Sequence, residues 1–146
     1  MVFDGHPVSG KDRLDGTLTW YDMRPNGKYV ANGSWSAISG SKTLGPIPSG
    51  RWTVSNYRER TEKGYVKDGV GFTVDITPDP LWGRSNLRIH PDGPPIGTAG
   101  CIGLEGSAQQ LQNFSDRVST YLNSYGTIPL IVTGQQIYIG PVTIRP

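Results

Sequence analysis

Glycine and proline recur along the whole chain, 20 and 12 of its 146 residues, and that feature excludes most helical architectures. Proline fixes φ and removes a donor, glycine loosens the backbone, and a chain interrupted this often turns repeatedly with little room for long helices. The length suits one domain and is sufficient to close a hydrophobic core. Seven Tyr and four Trp argue against disorder, because disordered chains are poor in aromatics. A formal charge of +2 provides no electrostatic footprint for nucleic acid. No apolar run approaches about 20 residues, so no membrane span is expected. The N-terminal residues lack the basic-then-apolar pattern of a signal peptide, so a role outside the cytoplasm would need a specialised export route.

Residues 1–15 (MVFDGHPVSGKDRLD) show no period and read as a flexible N-terminal tail, leaving 16–146 as a single domain. Strand patterns begin at Gly16, with Leu18, Trp20 and Met23 separated by polar residues. Arg24-Pro25-Asn26-Gly27 follows as a hairpin turn, its Asn-Gly pair supplying positive φ angles. Lys28–Ala31 and Trp35–Ile38 continue the sheet. Leu44–Gly50 reads as a rigid turn held by two prolines. Arg51–Tyr57, Val70–Thr77, Asn86–His90, Ile128–Val132 and Gln136–Ile139 read as further strands. One helix is expected: Ser107 caps it, Leu111, Phe114, Val118, Tyr121, Leu122 and Tyr125 recur at helical spacing, and Gly126 stops it. The fold class is therefore mainly β, a β-rich α+β domain with one substantial helix, and the βαβ repetition of nucleotide-binding folds is excluded.

Chemistry-bearing residues are few. One cysteine, Cys101, rules out an internal disulfide and any zinc site of several thiolates, and His6 and His90 are too few for a three-histidine metal site. No metal or cofactor is expected. The stretch from Leu87 to Leu104 is the most informative. His90 ends a strand, a Gly/Pro-rich loop follows, and Thr98-Ala99-Gly100-Cys101 precedes the helix. A thiol attacks as thiolate, and an imidazole brought close by such a loop can take its proton. The backbone N–H groups of Gly100 and Cys101 could then face a developing oxyanion. Taken alone, a single Cys and a distant His are more often a small buried hydrophobe and a satisfied strand-end residue, and it is the loop context that favours chemistry.

The run His90…Thr98-Ala99-Gly100-Cys101-Ile102 resembles the active-site pattern of the L,D-transpeptidase (YkuD-like) family. Gly45-Pro46-Ile47-Pro48-Ser49-Gly50-Arg51 is similar to that family's proline turn leading into a strand. The short His-to-Cys spacing and that turn look most like the type VI secretion L,D-transpeptidase effectors. The resemblance spans about residues 16–134. It implies an L,D-transpeptidase-like sheet or sandwich over a single catalytic domain, 16–146, with Cys101 as nucleophile and His90 as general base. It also implies that a backbone carbonyl in Pro91-Asp92-Gly93 orients His90. The substrates implied are peptidoglycan stem tetrapeptides, and the outcome is L,D-carboxypeptidase, exchange or cross-linking chemistry through a thioester. A toxin of this kind would be made in the cytoplasm, use a secretion-apparatus component, act in a target cell's periplasm and be neutralised by an immunity protein. Two positions depart from the family pattern: Ala99 stands where a second His is usual, and Gly103 where an Arg usually follows Cys-Ile. Thr98, Arg84 and Arg88 are candidates for holding substrate, the two arginines for its carboxylate, although solvated surface roles also fit both of those.

Other signals are weaker. Ser39-Gly40-Ser41-Lys42 matches Ser-x-x-Lys but lacks its partner motifs and reads as a polar loop. Asp75 and Asp79 are expected in solvated or turn roles, and glycines 64, 69 and 71 do not form a phosphate loop. Of Trp20, Trp35, Trp52 and Trp82, which could line a sugar-binding face, at least two are expected in the core. Two other functions remain open: a non-catalytic wall-binding module, and a papain-like endopeptidase or amidase, against which the His-before-Cys order argues.

Overall fold

The computed structural model describes residues 1–42, 44–78 and 84–134. The elements in chain order are β1 (Val2–Pro7), β2 (Arg13–Met23), β3 (Tyr29–Gly40), β4 (Gly50–Glu59), β5 (Val66–Lys67), β6 (Val70–Pro78), β7 (Leu87–Pro91), β8 (Ile102–Leu104), α1 (Ala108–Tyr125) and β9 (Ile128–Thr133). One sheet runs β4-β9-β1-β2-β3-β8-β7-β6-β5, and an added pairing of β4 with β6 closes it into a barrel. The pairs β1–β9 and β7–β8 are parallel and the others antiparallel. The mainly β class with a single substantial helix is thus observed. No helix among the described residues is long and apolar enough to cross a membrane. Gln136–Ile139, Trp82 and Asp79 lie outside the described residues.

The expected tail over residues 1–15 is instead part of the barrel. β1 sits between β9 and β2, with Phe3 fully buried, and β2 starts at Arg13 with Leu14 also buried. The strand escapes a search for alternating apolar residues because Gly5 fills a buried position. Opposite it, a Cβ on Gly16 would lie 2.0 Å from the Asp4 carbonyl oxygen, so the backbones meet where no side chain fits. The β2–β3 turn also differs from expectation. Gly27 alone takes a positive φ, 81°, because Pro25 is locked at negative φ. Gly27 N–H donates to Arg24 O and Arg24 N–H to Lys28 O, a three-residue loop whose glycine makes the bulge.

The helix begins and ends as its sequence dictates. Ser107 Oγ accepts from Gln110 N–H, Gln110 Oε1 accepts from Ser107 N–H, and Gly126 closes the last turn with φ 82° and a bond to Leu122 O. Leu111, Phe114, Val118 and Leu122 face the core. Phe114 meets Trp35 of β3 edge-on at 5.1 Å and Phe72 of β6 at 5.6 Å. Trp20, Trp35 and Trp52 are all buried. Tyr121 and Tyr125, by contrast, remain exposed although their spacing continues the apolar stripe. Burying a side chain such as Phe3 or Leu18 stabilises the barrel by roughly 1.5–3 kcal/mol.

Candidate active site

Parallel pairing of β7 with β8 organises the site, setting Ile89 beside Ile102, His90 beside Gly103 and Pro91 beside Leu104. Ile89 and Ile102 are fully buried in the core. The two-residue period therefore places Arg88, His90, Cys101 and Gly103 on the opposite face. Cys101 lies one residue before β8, diagonal to His90, at a Cα separation of roughly 8 Å from ordinary strand spacings. His90 is nonetheless buried, because the Tyr65 ring stands edge-on to its imidazole at 5.1 Å. The loop after β7 folds back over β8: a Cβ on Gly103 would come within 2.8 Å of Asp92 Cβ and 3.2 Å of Thr98 Cγ2. That crowding explains why the arginine of the resembled family has no place at this position.

His90 Nδ1 lies 2.7 Å from the Pro91 carbonyl oxygen. A carbonyl can only accept, so Nδ1 carries the proton and Nε2 presents its lone pair. The orienting group is thus a backbone carbonyl within Pro91–Gly93. Burial holds His90 below the usual imidazole pKa, with the charges of Arg88 and Lys42 adding to the effect against the opposing Pro91 bond. Cys101 Sγ accepts the Arg88 backbone N–H at 3.3 Å. Burial pushes this thiol up, while the Arg88 amide and the charges of Arg88 and Arg84 pull it down. Both groups therefore rest in their neutral forms, rather than as a thiolate–imidazolium pair. Among the described residues no hydrogen bond joins Sγ to His90; the sulfur is parked on the Arg88 amide.

The Thr98–Cys101 turn is held from within. Thr98 Oγ1 donates to Cys101 O at 2.6 Å and accepts from Gly40 N–H at 2.9 Å and Gly100 N–H at 3.3 Å. Thr98 is buried and its hydroxyl is engaged within the turn, so it holds the Cys101 backbone in place. Gly100 loses its expected part in an oxyanion hole, since its N–H is bound to that hydroxyl. Among the described residues the Cys101 N–H meets no hydrogen-bond acceptor. Gly100 instead makes room: it sits at φ +119°, and a Cβ there would lie 2.1 Å from Arg84 Nη2.

Neither arginine is merely solvated. Arg84 Nη2 donates to Ala99 O at 2.9 Å and Nη1 to Pro46 O at 3.4 Å, which fixes its cation beside Cys101. Arg88 is tied elsewhere, with Nη1 donating to Tyr65 Oη at 3.2 Å and Nε 3.4 Å from Asp75 Oδ1. Both arginines are partly exposed. Asp75, expected in a solvated role, pairs with Arg88 and accepts from Asn56 Nδ2. Asp92 is buried and accepts the Gly97 N–H through both oxygens, and it forms no bond to His90. Gly93 packs against β5, where a Cβ would lie 2.1 Å from Val66 O.

Two participants escaped the sequence reading. Ser39, read as part of a polar loop, is fully buried: Oγ donates to Gly100 O and accepts from Ile47 N–H. It ties the nucleophile turn to the proline turn, and its position directly after Ala37-Ile38 was the available signal. Tyr65, which covers His90, belongs to no motif.

Comparison of the chain with protein-family models, with curated proteins and with solved structures returns no match.

Proposed function

We propose that the protein is a cysteine-dependent peptidoglycan-modifying enzyme acting as an L,D-carboxypeptidase or L,D-transpeptidase on stem tetrapeptides. The observation that supports this best is the tautomer of His90: its Nδ1 is committed to Pro91 O and its Nε2 is left as a base, on the strand beside the one that Cys101 precedes. Attack begins when Sγ leaves the Arg88 amide and its proton passes to His90 Nε2. The sulfur adds to the carbonyl carbon before the terminal D-alanine. The oxygen takes the negative charge and meets the Cys101 N–H. Collapse breaks the C–N bond, His90 returns the proton to the leaving amine, and a thioester remains. Water then yields the tripeptide acid and an acceptor amine yields a new amide, each passing its proton to His90 as the thiol reforms. Arg84 is suited to the substrate carboxylate.

The test is incubation with purified muropeptides. Wild-type protein should convert tetrapeptides or exchange their terminal residue, Cys101→Ala should be inert, and His90→Ala should lose several orders of magnitude. No Cys101-dependent change in muropeptide composition would refute the reading. Delivery as a type VI secreted toxin follows from the resemblance alone. It predicts that periplasm-directed expression is toxic, that Cys101→Ala relieves the toxicity, and that an immunity protein covering the cleft does the same. Harmless periplasmic expression of active enzyme would count against it.

A further inference from the structure

A second concave site lies between the β2–β3 hairpin and α1 and shares no residue with the Cys101 cluster. It is a groove of about 890 Å³, towards the upper end of the roughly 300–1,000 Å³ usual for small-molecule sites. Its floor is built. The Arg117 guanidinium lies over both Trp20 and Trp35, 5.6 Å from each ring, and donates to the Asn32 carbonyl oxygen. Gly33 at φ +111° makes this approach possible, since a Cβ there would lie 2.8 Å from Arg117 Nη1. Asp22 is oriented by two donors, Trp20 Nε1 at 3.2 Å and Asn32 Nδ2 at 2.6 Å, and keeps further lone pairs for a ligand. Among the described residues neither Asp22, Asp116 nor Arg117 forms an ion pair. At one end Tyr121 and Tyr125 pack together at 4.5 Å between ring centroids. Tyr125 is 70% exposed and adds little to the core.

We infer that this groove binds a straight, uncharged β-1,4-linked oligosaccharide. Sugar rings offer C–H faces to aromatic side chains and hydroxyls to carboxylates and amides; the exposed Tyr121 and Tyr125 supply the first, and Asp22, Asn113 and Asp116 the second. The lining runs along α1 from Gln110 to Tyr125, a straight path of about 22 Å at the helical rise, which favours an extended chain over a coiled α-linked one. The glycan of the wall polymer proposed above is one such chain, but the inference does not depend on the catalytic reading.

The probe is chitotetraose titrated into the whole protein by calorimetry, with maltotetraose as the coiled control. Saturable chitotetraose binding is expected, weakened about tenfold or more by Tyr125→Ala, an exposed change that leaves the melting temperature unaltered. Asp22→Asn should weaken it too, and Cys101→Ala should bind as wild type. Absence of saturable binding, equal binding of maltotetraose, or indifference to Tyr125→Ala would each overturn the proposal. Loss of binding in Cys101→Ala would assign the sugar to the catalytic cleft and overturn it also. An inactive protein that still binds would sink the enzymatic reading alone.

Discussion

Replacing Thr98 with valine keeps the side chain's shape and deletes one oxygen. That oxygen donates to Cys101 O and accepts from the Gly40 and Gly100 amides at a site only 4% exposed. Valine strands two well-formed partners, the Cys101 carbonyl and the Gly40 amide, and each buried unsatisfied group costs about 1–3 kcal/mol. The loss should total roughly 2–6 kcal/mol, a large share of the ~5–15 kcal/mol that holds a typical domain together. Thr98→Ser retains the oxygen and removes one methyl, a change of about 1 kcal/mol. Urea unfolding of the three proteins at one pH measures both numbers. Because the hydroxyl anchors the Cys101 carbonyl, the valine variant should also expose Cys101 to iodoacetamide faster than wild type in the native state. If valine costs under about 1 kcal/mol, or serine costs as much as valine, the hydroxyl is not what holds the turn.

Three further outcomes are expected. Burial raises the Cys101 pKa, so native alkylation should accelerate with pH through and beyond the ordinary thiol value near ~8.5; a plateau already reached below pH 7 would contradict the neutral resting pair. Burial also raises Asp92, with Glu105 adding to it, so the folded state holds that proton more tightly than the unfolded chain. Stability from this group is complete below its unfolded value and declines as pH rises from there through its folded one. Asp92→Asn should remove that decline, seen as a smaller loss of melting temperature as pH rises above the ordinary aspartate value of about 3.9; parallel curves would disprove the assignment. Ser107→Ala should cost about 1 kcal/mol by removing one half of the capping box, measured by thermal unfolding.

Local chemistry explains which parts of the molecule were legible in the sequence. The helix could be read to its caps because Ser107, Gln110 and Gly126 act within one turn of its ends. Cys101 and His90 were legible as a pair because their loop is short and rich in glycine and proline. β1 was not, since its partners Ile131 and Val132 lie far along the chain and Gly5 occupies an inward position. β8 is three residues long with a glycine at its centre. The Thr98 hydroxyl looked like a ligand group because nothing local reveals that the Gly40 amide and its own turn consume it. Arg84 looked solvated for the same reason: the carbonyls it meets belong to two other loops.

β9 acts as a keystone. It pairs with β1 on one side and β4 on the other, so until it arrives two strands carry unpaired backbone and the ring stands open. A nascent or truncated chain ending before Ile128 would present both edges to its neighbours, the geometry that templates strand-to-strand aggregation. Sealing the ring joins β1 to a strand at the far end of the described chain, and the loop entropy of that closure falls due before its contacts form. Assembly should therefore be late and all-or-none, with His90 and Cys101, carried by β7 and the turn before β8 on the face away from the core, fixed in place only once closure is complete.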